Sequence, residues 1–253
     1  MTLRLGRIPY LNTEPFFSDD ETRAQASAEV PRRMIELALR GSVDLAPLPI
    51  VAIFDHPDMF RAVGQVGIAT TGAARSVLLL SQVPIDQLNG SRIGVIDESA
   101  TSVRLLKVLL QFRFEVEEVT LTDLASADSA ILLIGDRAMV DRPDHAMFPY
   151  AVDLAAEWHE WTRLPFVFAA WMVRRGIETE ACQSVLEYFD SNLNRNLDNP
   201  KLIHARRPDL GLSLDEIETY LKTFQYRFDD ETWTGMEHFQ ELDARVSLAE
   251  RVA

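Results

Sequence analysis

Twice in this chain an amphipathic helix gives way, through a short link, to an aspartate and then an apolar strand. The first instance is a helix predicted over Pro31 to Arg40, then Gly41, then Asp44-Leu45-Ala46-Pro47-Leu48-Pro49. Pro31 suits the first turn of that helix, and Gly41 supplies its stop. The second is a helix predicted over Val103 to Phe112 and an alternating strand at Glu115 to Leu121. It ends in Asp128-Ser129-Ala130-Ile131-Leu132-Leu133-Ile134-Gly135-Asp136. Each reads as part of a β-α-β crossover, which calls for a parallel arrangement. Strands over Leu3 to Tyr10 and Arg92 to Ile96 would feed the two crossovers.

Between the copies, Ser76 to Ser81 is an almost continuous apolar strand, and Pro84 and Asn89-Gly90 then break the chain. A second unit inserted near residue 84 predicts two lobes, 1–83 plus 171–253 and 84–170. The return crossing would fall in the aromatic run Leu164 to Arg174, and the remainder is mostly helical. The expected class is α/β, with a ligand cleft between lobes that hinge closed on a small molecule.

At 253 residues and 47% hydrophobic, the chain is long enough to bury a core in each lobe. Its single cysteine, Cys182, rules out an internal disulfide. Met1 to Tyr10 lacks the apolar run of a secretory signal, and no window is apolar enough for a membrane span. The expectation is a cytoplasmic protein without a membrane partner. A net charge of −14 argues against nucleic acid, which demands clustered lysine and arginine. It is compatible with an anionic ligand, because screening acts over about 8 Å and local donors decide.

Three segments carry candidate chemistry. Ser99, Thr101 and Ser102 cluster where a strand enters a helix, and unpaired N–H groups with the helix dipole there favour a carboxylate or phosphate. The alternative is that Ser99 or Thr101 simply caps the helix, and Asp97 and Glu98 oppose an anion unless they face away. The Asn12-Thr13-Glu14-Pro15 loop should stand at the carboxyl edge of the first sheet. Asn12 can orient a ligand and Glu14 can take a proton, although a plain turn is the alternative. Ser76 follows the small-residue run Gly72 to Ala74, with Arg75 as a possible carboxylate clamp. Asp136, at the tip of the second lobe's strand, could contact ligand or cap the next helix.

No phosphate-binding Gly-x-x-x-x-Gly-Lys loop, dinucleotide Gly-x-Gly-x-x-Gly or nucleophile Gly-x-Ser-x-Gly occurs. The five histidines lack metal-ligand spacing. Neither a metal nor another cofactor is implied.

Six segments together resemble one family. They are Ile-Pro-Tyr-Leu-Asn-Thr-Glu-Pro-Phe at 8–16, Gly-Ser-Val-Asp-Leu-Ala-Pro-Leu-Pro at 41–49 and Ser-Val-Leu-Leu-Leu-Ser at 76–81. Ser-Ala-Thr-Ser-Val-Arg-Leu-Leu at 99–106, Leu-Ile-Gly-Asp-Arg-Ala at 133–138 and Glu-Trp-His-Glu-Trp-Thr-Arg-Leu-Pro-Phe-Val-Phe-Ala at 157–169 complete the set. In this order they are similar to the chorismate dehydratases of the futalosine route to menaquinone (the MqnA/MqnD family). Arg163 departs from the pattern, where glycine is expected. The resemblance implies the two-lobed type II periplasmic-binding-protein fold and a lyase that removes water from chorismate, a dicarboxylate. It places Asn12, Ser76, Ser99, Thr101 and Ser102 toward the ligand, with Tyr10 and Asp136 as further candidates for substrate binding. The proton acceptor stays open between Glu14 and the substrate's own carboxylate. Oligomeric state also stays open, a homodimer being one option. The alternatives are a non-catalytic solute-binding protein, a ligand-sensing regulator, or the sister enzyme 1,4-dihydroxy-6-naphthoate synthase.

Overall fold

A computed structural model describes residues 3–17, 19–141, 143 and 145–252. The first part of the chain holds β1 (Gly6–Arg7), a 3-10 turn (Leu11–Phe16), α1 (Asp20–Gln25), β2 (Ser27–Ala28) and α2 (Pro31–Leu39). Next come β3 (Leu45–Pro49), α3 (Val51–Asp55), β4 (Phe60–Thr70) and β5 (Val77–Ser81). The middle holds β6 (Arg92–Val95), α4 (Thr101–Phe112), β7 (Thr120–Thr122), β8 (Ala130–Ile134) and α5 (Gly135–Val140). β9 (Tyr150–Asp153), α6 (Leu154–Thr162) and β10 (Phe166–Arg174) lead into α7 (Thr179–Asp198) and α8 (Lys201–Arg206). The chain closes with α9 (Leu214–Leu221), β11 (Gln225–Arg227) and α10 (Asp230–Val252).

These elements form two compact units, Met1–Ala69 with Val167–Asp229 and Thr70–Phe166 with Asp230–Ala253. Against the expected 1–83 plus 171–253 and 84–170, the return crossing moves from 170/171 to 166/167, and two elements change unit. β5 falls in the second unit because it pairs with β8 on one side and β9 on the other. α10 joins the same unit because its buried Asp243 accepts two hydrogen bonds from Arg104 of α4, the Nε one at 2.6 Å. Phe239 of α10 also packs edge-on against Trp158 and Phe166, with ring centroids 5.9 and 4.9 Å away.

The first unit is built on a four-stranded sheet in the order β11-β4-β10-β3. The crossover expected around α2 is present as a parallel bridge from Leu5 to Leu45, continued by β1 pairing with β2. The expectation of a parallel sheet is otherwise corrected. β3 runs antiparallel to β10, with Pro47 opposite Trp171, and β11 runs antiparallel to β4. β3 is an edge strand, the place where Pro47 and Pro49 do least harm to a ladder. Gly67 of β4 has no room for a side chain: a Cβ there would lie 2.3 Å from the Ala169 carbonyl and 2.5 Å from the Phe228 ring. The core gathers Phe16, Phe17, Trp171 and Phe189, all buried. Cys182 is buried in α7, and burial pushes its thiol up.

The second unit has a five-stranded sheet, β7-β6-β8-β5-β9. β6 is parallel to β7 and β8, while β5 is antiparallel to β8 and β9, so this sheet is mixed. α4 buries Leu105, Leu106 and Leu109. The Trp158 indole N–H donates to the Pro165 carbonyl at 3.1 Å, which satisfies the one polar atom of a fully buried ring. Among the described residues no helix is long and apolar enough to cross a membrane.

α6 ends on Arg163 in the left-handed region, φ 63° and ψ 10°, where its N–H closes onto the His159 carbonyl. That is the position at which helices favour glycine, because a Cβ is strained there. The departure noted in the sequence is therefore a backbone matter. Arg163→Gly should stabilise the chain by about 0.5–1 kcal/mol, the relief of left-handed strain less the entropy glycine adds to the unfolded chain. A thermal melt should rise by roughly 1–4 °C; an unchanged or lower midpoint would contradict this account.

Candidate functional site

In the second unit the strand directions bring four chain segments to one edge of the sheet. β6 and β8 are parallel, so their carboxyl ends share that edge. β5 runs the other way, with Val77 opposite Ile134, so Ser76 enters there. β9 places Asp153 opposite Leu78 at the same edge. Carboxyl edges of this kind are where α/β proteins bind ligands. Of the residues proposed from sequence, Ser76, Ser99, Thr101, Ser102 and Asp136 all belong to it.

β6 leaves its sheet through a turn closed by the Ser99 N–H on the Ile96 carbonyl, 3.0 Å. The turn buries Ser99; of the two acidic neighbours that would oppose an anion, Asp97 is exposed and Glu98 is half-buried. α4 then starts at Thr101 with Ala100 as its N-cap, a residue with no side-chain cap to offer. The simpler reading of the hydroxyl cluster, that Ser99 or Thr101 caps its own helix, is not what the chain does. The first turn of α4 contains no acidic residue. Ser99 is only 7% exposed, and its hydroxyl oxygen has no hydrogen-bond partner among the described residues. Thr101 and Ser102 are buried beside it.

A buried hydroxyl without a partner beside an uncapped helix start is what an anion site needs. The dipole contributes about 0.3–1 kcal/mol, up to about 2 when partly buried. Each hydrogen bond to a charged group adds roughly 1.5–3 kcal/mol.

Ser76 is also buried, and its carbonyl accepts from the Gly135 N–H at 2.9 Å, which ties it to the start of α5 and Asp136. The turn before it is unusual. Arg75 has φ 62° and is exposed. Asp153 holds this turn, accepting from the N–H groups of Ala74 at 3.2 Å and Arg75 at 2.6 Å. The same carboxylate caps α6 through Ala155 and Ala156. Asp153 escaped the sequence reading because its partners lie nearly eighty residues away; the only cue was an aspartate preceding a helix.

In the first unit the chain leaves β1 at Arg7 rather than continuing as a strand to Tyr10. It winds into the 3-10 turn, with Tyr10 as the half-buried residue before it. From Leu11 to Phe17 every residue is buried except Asn12. The Asn12 carboxamide makes no hydrogen bond within the described residues, so the turn presents one free polar group and hides the rest. Thr13 faces inward, its hydroxyl donating to the carbonyls of Ile8 at 2.5 Å and Tyr10 at 2.9 Å. Glu14 faces inward too. Its carboxylate lies 3.0 Å from the Arg23 guanidinium and 3.9 Å from that of Arg207. The geometry thus gives Asn12 and Glu14 opposite situations, one available and one enclosed. Among the described residues no group of three histidine, cysteine, aspartate or glutamate side chains could hold a metal ion.

A family model described as menaquinone biosynthesis matches residues 3–245. The chain is 30% identical over 234 residues to a chorismate dehydratase from Thermus thermophilus, covering 84% of this chain and 84% of the relative. Among solved structures it is similar to protein AF1704 from Archaeoglobus fulgidus, with a TM-score of 0.72 at 17% identity, covering 100% of this chain and 98% of that one. It is also similar to the periplasmic aliphatic sulphonate binding protein SsuA from Escherichia coli, with a TM-score of 0.64 at 15% identity and coverage of 98% and 88%. At these identities the two structures establish the fold alone, an α/β fold of the periplasmic-binding-protein kind.

Proposed function

The chain belongs to the menaquinone-biosynthesis family, and from that premise we propose that it is a chorismate dehydratase. The reaction is the loss of water from chorismate to give 3-[(1-carboxyvinyl)oxy]benzoate. The C3 proton and the C4 hydroxyl leave, a new ring double bond forms between C3 and C4, and aromatisation provides the drive. The observation that carries the reading is the uncapped start of α4 with the buried, partnerless hydroxyl of Ser99. It suits one of the two carboxylates of this substrate.

In the proposal Ser99, Thr101 and Ser102 bind a carboxylate, with Ser76 and Asp136 completing that side. Asn12 of the first unit is the residue assigned to orienting substrate, and Tyr10 lies next to it in sequence. The proton acceptor is the enolpyruvyl carboxylate of chorismate itself, and the protein's part is to hold it against C3. Fixing a near-attack geometry contributes about 7–11 kcal/mol in favourable cases. That is enough for a mechanism without a histidine or lysine base. The enclosure of Glu14 by Arg23 favours this over a glutamate base.

The test is incubation of the purified protein with chorismate alone, with mass detection of the product. Loss of one water from the substrate supports the proposal. Tight binding of chorismate without turnover would move the reading to a solute-binding protein.

A further inference from the structure

The turn that presents Asn12 is short, contains Pro15, and ends in three carbonyls that it cannot satisfy itself. All three are taken by side chains from a remote part of the first unit. Asn192 of α7 donates its side-chain amide to the Phe16 carbonyl at 2.9 Å. One turn further on, Asn196 donates to the carbonyls of Pro15 and Phe17, both at 3.0 Å. Arg206 of α8 adds a second donor to Phe17 at 2.6 Å. The atoms facing Asn196 are carbonyl oxygens, so its amide nitrogen must point at them.

Asparagine is a poor choice inside a helix, because its side chain competes for backbone groups. Asn192 is 4% exposed and Asn196 is fully buried. Neither position is needed for solubility, and a leucine would bury better there. The cost is offset by contacts to a single target, the carbonyl end of the Asn12 turn. Phe16 and Phe17 also pack on Trp171 of β10 and on Phe189, which α7 carries one turn before Asn192. The turn is therefore held by apolar packing, which tolerates small slides, and by directed hydrogen bonds, which do not.

We propose that Asn192 and Asn196 are positioning residues for the dehydration, fixing the register of the 11–17 turn so that the Asn12 carboxamide is held in the orientation that catalysis requires. The inference rests on the function proposed above. It extends that proposal from the residue offered to substrate to the helix that sets its position.

A double-mutant cycle between Asn196 and Asn12 tests it, on variants assayed well below their melting temperatures. Asn196→Ala should lower kcat by about 10- to 100-fold, the scale of an ångström-sized misplacement, with KM for chorismate within about twofold. In the Asn12→Ala background the same substitution should lower kcat no further, because the group it positions is gone. Unchanged kcat per folded molecule, or losses that multiply across the cycle, would overturn the proposal, since a residue that merely stabilises the fold acts independently of Asn12. Asn192→Ala, which removes one hydrogen bond to the turn instead of two, serves if Asn196→Ala does not fold. It should show the same non-additivity at smaller amplitude. If the unsubstituted protein binds chorismate without turning it over, the proposed function fails. The same cycle is then read on chorismate affinity, where losses that multiply still overturn the positioning.

Discussion

Replacing Asn12 by alanine should lower kcat for chorismate dehydration by about 10²–10³-fold, the usual loss when one preorganised polar group at a reacting centre is removed. The fold should hardly notice. Asn12 is the one residue of the 11–17 turn that is not buried, and its carboxamide has no hydrogen-bond partner to lose among the described residues. The melting temperature should therefore stay within a degree or two of the parent. Glu14→Gln predicts the reverse pattern. That side chain is buried against Arg23, so neutralising it weakens the pairing of Arg23, which keeps only its longer contact to exposed Asp20 at 3.4 Å among the described residues, while Arg207 keeps its pair with Asp209. Stability should fall, and the kcat of the folded fraction should stay within about tenfold, since Glu14 stands behind the turn. The two substitutions thus separate the group proposed to orient substrate from one held in an ion pair two positions away. Full kcat in Asn12→Ala would remove the organiser from the mechanism. Abolished turnover in Glu14→Gln with chorismate affinity intact would make Glu14 the base and end the substrate-assisted reading.

That contrast marks how far the sequence could be read. The pattern Asn-Thr-Glu-Pro announced a polar loop with two candidate groups, but which one faces substrate depends on Arg23, Arg207 and α7. Residue order alone does not bring those together. The hydroxyl cluster at 99–102 is visible, yet whether one of its residues is the N-cap turns on one backbone detail, the N-cap falling on Ala100. Alternation misled at Glu115 to Leu121, where only Thr120–Thr122 pairs as a strand. Glu115 takes φ 55° and Val116 alone is buried, so the chain there is irregular with one anchor. The strand β9 and its terminal Asp153 went unseen because four residues carry too little periodicity. Asn192 and Asn196 looked like ordinary polar positions on an acidic helix, and only their burial exposes them.

The aspartate repeated ahead of β3 and β8 has a physical meaning the pattern alone does not show, and it carries the largest stability effect expected of a single substitution. Asp44 accepts from the backbone N–H of Arg4 at 3.0 Å and from its guanidinium at 2.9 and 2.7 Å; Arg174 adds a bond at 2.9 Å. In the second unit Asp128 repeats the motif, accepting from the Arg92 N–H at 2.9 Å and its Nε at 3.1 Å. In both units the aspartate ahead of the later strand clamps an arginine at the start of the earlier one. Burial separates them: the Asp44 side chain is 2% exposed and that of Asp128 is 41%. Asp44→Asn should cost about 3 kcal/mol, the low end for breaking a buried pair, because the arginines it releases can turn to water. For a chain of this size that is roughly 6–12 °C in the melting temperature. Asp128→Asn, with water already at the pair, should change it little. The pH dependence follows from the hydrogen bonds of Arg4 first and Arg174 after it, which hold the Asp44 carboxyl well below the usual carboxylate range. A depressed folded value means the stabilisation is complete above the unfolded value of about 3.9 and is lost as pH falls below it. The melting gap between parent and Asp44→Asn should therefore be constant from about pH 5 to 8 and should narrow below about pH 4. A gap that widened on acidification, or equal losses for Asp44→Asn and Asp128→Asn, would mean that burial is not what distinguishes the two copies.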